Sequence, residues 1–164
     1  MSVEPWLREI DLGIHPALAQ PIFAMQHVME DLQHYTEDLT DEQIWFSPQG
    51  LTPLGFHLRH IACSTDRLTT YLRGGELSEE QIGQMKREKT PGPTRDELLK
   101  DIAAAFAEAE SAFRSLYPDH FGAARFIGRK RIRTTAIALA IHIGEHAQRH
   151  AGQAITTCHI LRLR

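Results

Sequence analysis

The sequence predicts an all-α fold, a four-helix bundle, and three observations lead there. Four long segments carry apolar residues at helical spacing, stretches rich in proline and glycine separate them, and no set of alternating segments suggests a full sheet. At 164 residues, one domain over 1–164 is expected, large enough to bury about two thirds of its unfolded surface without disulfides or a structural metal.

The first helix is expected from about His15 to Leu39, with Pro16 suited to its first turn and Ile22, Met25, Val28, Met29 and Leu32 on one face. Thr40 and Gln43 then have capping-box spacing for a short accessory helix in "TDEQIWF". In "LTPLGF", Thr52 reads as the N-cap and Pro53 as the first turn of the second long helix. That helix carries Leu54, Leu58, Ile61, Leu68 and Leu72 on its apolar stripe and stops at Gly74 and Gly75. Ser78 and Gln81 form a second capping box, predicting a short helix over 78–88, and "TPGP" marks a linker.

Thr94 and Glu97 cap the third long helix, expected to reach Pro118, while "ARFIGRKRIR" reads as a short extended or hairpin segment. The fourth helix is expected to start at Thr134 or Thr135 and to run nearly to the end. Gly144 and Gly152 lie inside it. Each interior glycine costs a helix roughly 1 kcal/mol relative to alanine, so close packing is the expected reason for both.

With 42% hydrophobic and 24% charged residues, the chain has the composition of a folded globular protein. A net charge of -3 gives no general attraction to nucleic acid. Cys63 and Cys158 lack metal or disulfide spacing and read as small buried residues, which suits a reducing, cytosolic setting. No apolar run approaches a membrane span, and "MSVEPWLREIDLG" lacks the apolar core of a secretory signal. A cytoplasmic protein is expected.

Ten histidines are present, and His15, His27, His34, His120 and His159 read as surface or helix-end residues. The informative ones lie in "FHLRHIA" and "HIGEHAQRH". Residues four apart on a helix lie about 6 Å apart along its axis, so two imidazoles converge on one ion; residues eight apart lie about 12 Å apart, which excludes His142 with His150. Projected at 100° per residue, Leu139, Ile143, Ala147, Ala154 and Leu161 form an apolar arc. His150 falls inside it and His146 at its edge, so this pair faces the interior better than His142 with His146. "HIGEH" also matches a metalloprotease pattern, but no Asp or Glu follows His146 to complete it. A third ligand is expected from His57 or His60; projection mildly prefers His57 and leaves the choice open.

"LTPLGFHLRHIACSTDRLTTYLRG" and "IHIGEHAQRHAGQAI" together resemble the DinB/YfiT superfamily of metal-binding four-helix bundles. The family carries one histidine before a small apolar pair on its second helix and an H-x-x-x-H pair before Gly-Gln on its last. The resemblance therefore implies His60, His146 and His150 as metal ligands, with His57, His142 and Gln153 as neighbours able to support a ligand or touch a substrate. It further implies a DinB-like bundle with a long crossover, here Gly74 to Pro93, a homodimer, and a divalent metal with open positions. Three imidazoles suit zinc or nickel.

The expected function is a metal-dependent enzyme, a transferase or hydrolase acting on a small molecule, with a thiol cosubstrate for thiol-dependent transfer. The alternative is a non-catalytic metal-binding bundle with a stress-linked role. Glu145 lies off the apolar arc and reads as a salt-bridge partner. The basic run Arg125, Arg129, Lys130, Arg131 and Arg133 reads as a solvated loop balanced by the acids of "EDLTDE", and nucleic acid is disfavoured because no aromatic stacking pattern accompanies it.

Overall fold

The computed structural model describes residues 3–163; Met1, Ser2 and Arg164, part of the expected domain, lie outside the described residues. Among those residues the order is α1 (Pro16–Tyr35), α2 (Asp41–Trp45), α3 (Leu54–Leu72), α4 (Glu79–Arg87), α5 (Arg95–Arg114), β1 (Ala124–Ile127), β2 (Ile132–Thr135) and α6 (Ala136–Arg162). The four long helices form a bundle, and β1 and β2 pair antiparallel as a hairpin, with Ala124 opposite Thr135 and Ile127 opposite Ile132. None of these helices is long and apolar enough to cross a membrane.

Local chemistry sets most boundaries. Capping boxes at Thr40 with Gln43, Ser78 with Gln81 and Thr94 with Glu97 start α2, α4 and α5 as expected. Thr135 accepts from the Ala138 N–H and starts α6. The expected cap of α3 is corrected: Pro53, with ψ 149°, is the N-cap and makes no side-chain cap bond, so the helix begins at Leu54 and not at Pro53. Two ends also come earlier than expected. α1 stops at Tyr35, where Thr36 donates its hydroxyl to the Leu32 carbonyl, and α5 stops at Arg114, where the Leu116 N–H folds back to the Phe113 carbonyl.

Around the bundle the neighbours are α1 with α6, α6 with α3, α3 with α5, and α5 with α1. Contacts at the ends give the directions. Arg162 reaches the Tyr35 carbonyl and Pro21 packs on Gly144, so α1 and α6 run parallel. Arg73 pairs with Glu108, while Trp45 covers Gly55 and donates to the Pro93 carbonyl, so α3 and α5 are parallel too. Parallel neighbours cannot be joined by a tight turn. The Gly74–Pro93 connection, carrying α4, accordingly travels back along the bundle.

The core is shared by all four long helices: Leu18, Leu32, Leu58, Ile61, Leu98, Ile102, Phe113 and Ile143 are fully buried, each worth about 1.5–3 kcal/mol relative to exposure. Gly144 behaves as expected, since a Cβ there would lie 2.9 Å from Cα of Pro21. Gly152 does not: a Cβ there would meet nothing within 4 Å, so close packing is not its reason. The basic hairpin is also balanced differently from expectation, because Arg131 pairs with Glu76. Within "EDLTDE", Asp38 pairs with Arg162 and Asp41 accepts from the backbone N–H of Arg95.

Candidate metal centre

α3 and α6 run antiparallel in contact, and their facing stripes place the informative histidines together. Ring centroids of His60 lie 5.2 Å from His146 and 4.3 Å from His150, and those of His146 and His150 lie 4.7 Å apart. One nitrogen from each of His60, His146 and His150 falls within 4.8 Å of the other two. Tetrahedral zinc with Zn–N bonds of about 2.0–2.1 Å holds its nitrogens roughly 3.3 Å apart, so side-chain rotation spans the remaining gap. No carboxylate belongs to this set among the described residues.

Each of the three rings has its Nδ1 engaged. Nδ1 of His60 lies 2.7 Å from Oε2 of Glu88. Nδ1 of His146 lies 3.3 Å from Oγ of Ser64, whose own hydroxyl donates to the Ile61 carbonyl and so keeps its lone pair for the ring. Nδ1 of His150 lies 3.4 Å from Nδ1 of His57. Protonation of Nδ1 in all three rings would leave every Nε2 with a lone pair.

Burial first, then the neighbouring His150 and His60, lowers His146 to about 4. Burial followed by His60 and Arg149 does the same to His150, also to about 4. Both are neutral at pH 7, and a neutral imidazole ligates without first losing a proton.

Glu88 has no counterpart in the sequence reading. It follows α4 in the crossover, is 4% exposed, and splits its carboxylate between His60 and Arg67. Burial alone raises its pKa; the hydrogen bonds from His60 and Arg67 outweigh that and leave it below the ordinary range. The spacing of seven puts His60 and Arg67 on one face of α3, a signal present in the sequence, but nothing there says which distant acid bridges them. Phe56 stacks on His60, with ring centroids 5.2 Å apart.

The other predicted neighbours divide. His57 is 6% exposed and touches the set through His150, and burial, with His150 and His60 beside it, lowers it to about 4. His142 is half-buried; its ring lies 5.5 Å from that of His146, and its Nδ1 meets Glu145 at 3.2 Å. Gln153 is exposed, and its side chain has no hydrogen-bond partner among the described residues. Glu145 is a salt-bridge partner, held by Arg149 at 3.0 Å on the exposed face. Away from the set, His15 caps α1 by accepting from the Ala17 N–H.

A sequence model of the DinB superfamily matches residues 24–154, a span that contains α3, the part of α6 up to Ala154 and all the histidines of the set. The chain belongs to the DinB superfamily. Among solved structures, it is similar to YfiT from Bacillus subtilis at 18% identity, covering 92% of this chain and 90% of that one with a TM-score of 0.62. That protein is described as a probable metal-dependent hydrolase with an unusual four-helix bundle topology. The likeness establishes the shared fold. No curated protein matches the chain.

Proposed function

We propose that this DinB-superfamily protein binds a divalent metal, zinc or nickel, through Nε2 of His60, His146 and His150, and acts as a metal-dependent hydrolase or transferase on a small molecule. The observation that carries the reading is the engagement of all three Nδ1 atoms by Glu88, Ser64 and His57. Metal-ligating histidines almost always donate their second N–H to such a partner, which fixes the tautomer and orients the ring. A ligand set of three imidazoles leaves coordination positions open, and the ion when bound supplies Lewis acidity toward a small oxygen or sulfur nucleophile. The description of YfiT supports hydrolysis, and a thiol cosubstrate is the transferase form of the same proposal. A homodimer in the cytoplasm belongs to it as well.

A second reading, a metal-binding bundle without turnover, is favoured by one observation. Glu145, the acid closest in sequence to the α6 pair, is turned toward Arg149 and His142 on the exposed face. The test is metal analysis of untagged protein beside His60→Ala and His57→Ala, followed by assays of loaded protein on esters, amides and thiol-plus-electrophile pairs. One ion per chain in wild type, lost in His60→Ala, is expected. Stoichiometric metal surviving in His60→Ala overturns the ligand assignment; loaded protein inert across the panel favours the second reading.

A further inference from the structure

Two of the three Nδ1 partners, Ser64 and His57, lie on α3 itself, whereas Glu88 comes from the crossover, 28 residues beyond His60. Its two oxygens tie together two turns of α3, Oε2 at His60 and Oε1 at Arg67, 2.6 Å from Nη1. Arg59 holds the same stretch of crossover from the neighbouring face, donating to the carbonyls of Arg87 and Thr90 while its guanidinium lies over Trp45. Four hydrogen bonds thus join α3 to residues 87–90, and the one between Glu88 and His60 runs into the histidine set.

Resting on the metal reading above, we propose that Glu88 is the positioning residue for His60 and that it couples metal binding to docking of the crossover. The carboxylate accepts a hydrogen bond from Nδ1–H, which leaves Nε2 as the only lone pair of His60 and turns it toward His146 and His150. A carboxylate in that role also makes the imidazole a stronger donor to a cation. Arg67 holds the carboxylate in place. The alternative for Glu88 without His60 is a buried charge balanced on one side only, so the two interactions are mutually dependent. Reciprocity follows: whatever factor docking adds to metal affinity, metal adds to docking.

The test uses full-length wild type, Glu88→Ala and Glu88→Gln. Zinc affinity is measured by competition with a chelating dye, and the visible spectrum is recorded with cobalt(II) as the probe. Partner loss of this kind typically weakens metal binding about 10–100-fold, which is the expectation for Glu88→Ala, together with a changed cobalt spectrum. Glu88→Gln, whose amide oxygen still accepts from Nδ1, is expected to recover much of the loss. Hydrogen exchange over residues 79–93 is expected to slow when zinc is added to wild type and to respond less in Glu88→Ala.

Wild type that binds zinc, with Glu88→Ala matching it in affinity and cobalt spectrum, overturns this proposal and leaves the metal reading standing. Wild type that binds neither ion overturns both. If Glu88→Ala fails to fold, 15N spectra of the histidines in zinc-loaded wild type decide: His60 protonated at Nδ1 is expected, and His60 protonated at Nε2 overturns it.

Discussion

Nδ1 of His57 and Nδ1 of His150 face each other at 3.4 Å, so one of the two nitrogens donates and the other accepts. When His150 presents Nε2 to an ion, its Nδ1 carries the proton and His57 is the acceptor. His57 is then a support, and its removal differs in kind from removal of His60.

His57→Ala is expected to retain one metal per chain with affinity weakened about tenfold, in the range seen when a ligand's hydrogen-bond partner is lost. His60→Ala is expected to lose stoichiometric metal altogether. Equilibrium dialysis with zinc checks both, and equal loss in the two variants sinks the distinction.

Acid is expected to destabilise the metal-free protein between about pH 6.5 and 4. His57, His146 and His150 are lowered to about 4 in the fold, while an unfolded histidine titrates near about 6.5. In that window the unfolded chain takes up protons that the folded chain refuses, so stability falls as pH drops and is unaffected by these groups above it. Glu88 acts in the same direction lower down, its contribution being present above its unfolded value of 4.5 and lost as pH falls through its lowered folded value. Thermal melts of metal-free protein from pH 7.5 to 4.5 check this, and a flat midpoint between 7 and 5 contradicts it.

Cys63 is expected to be the cysteine that thiol reagents modify first in the native protein. It is half-buried, with burial and then Glu88 raising its pKa, whereas Cys158 is fully buried and pushed up to about 11. The spacings of three and four place Cys63 on the stripe of His60 and Arg67, which Glu88 bridges. Its labelling is therefore expected to quicken several-fold in Glu88→Ala. Peptide mapping after maleimide treatment identifies the site, and prior modification of Cys158 would show the packing around α6 to be looser than described.

Gly144→Ala and Gly152→Ala are expected to shift stability in opposite directions. The new Cβ at 144 would meet Pro21 at 2.9 Å, an overpacking worth about 1–3 kcal/mol of destabilisation. At 152 it would meet open space, and the better helix propensity of alanine contributes about 0.5–1 kcal/mol of stability. Urea denaturation of both variants measures the pair; matching signs contradict the packing argument.

The bundle was legible because its helices announce themselves locally. Thr40, Ser78 and Thr94 each meet their N3 partner within one turn, so three starts follow from spacing alone, and the apolar stripes of α3 and α6 point into the core where projection puts them. Projection also placed His57 toward the interior, where it is buried, and the family pattern singled out His60. Glu88 was not legible, because its partners lie 28 and 21 residues away and its own segment has no periodicity to mark it. Thr52 failed as a cap because Pro53 stays extended, and Gly152 failed as a packing residue because only a neighbouring helix, never the sequence of its own, decides whether a glycine is crowded.

The histidine set is split between an early part of the chain and its last helix. On a ribosome, His57, His60, Ser64, Arg67 and Glu88 all emerge before any residue of α6, so the first half of the set can form with its carboxylate while His146 and His150 are still unmade. Assembly of the full set therefore waits for the synthesis of α6. A nascent protein stalled before α6 is expected to hold no ion, and the moment of metal uptake during synthesis or refolding is expected to coincide with the docking of that helix.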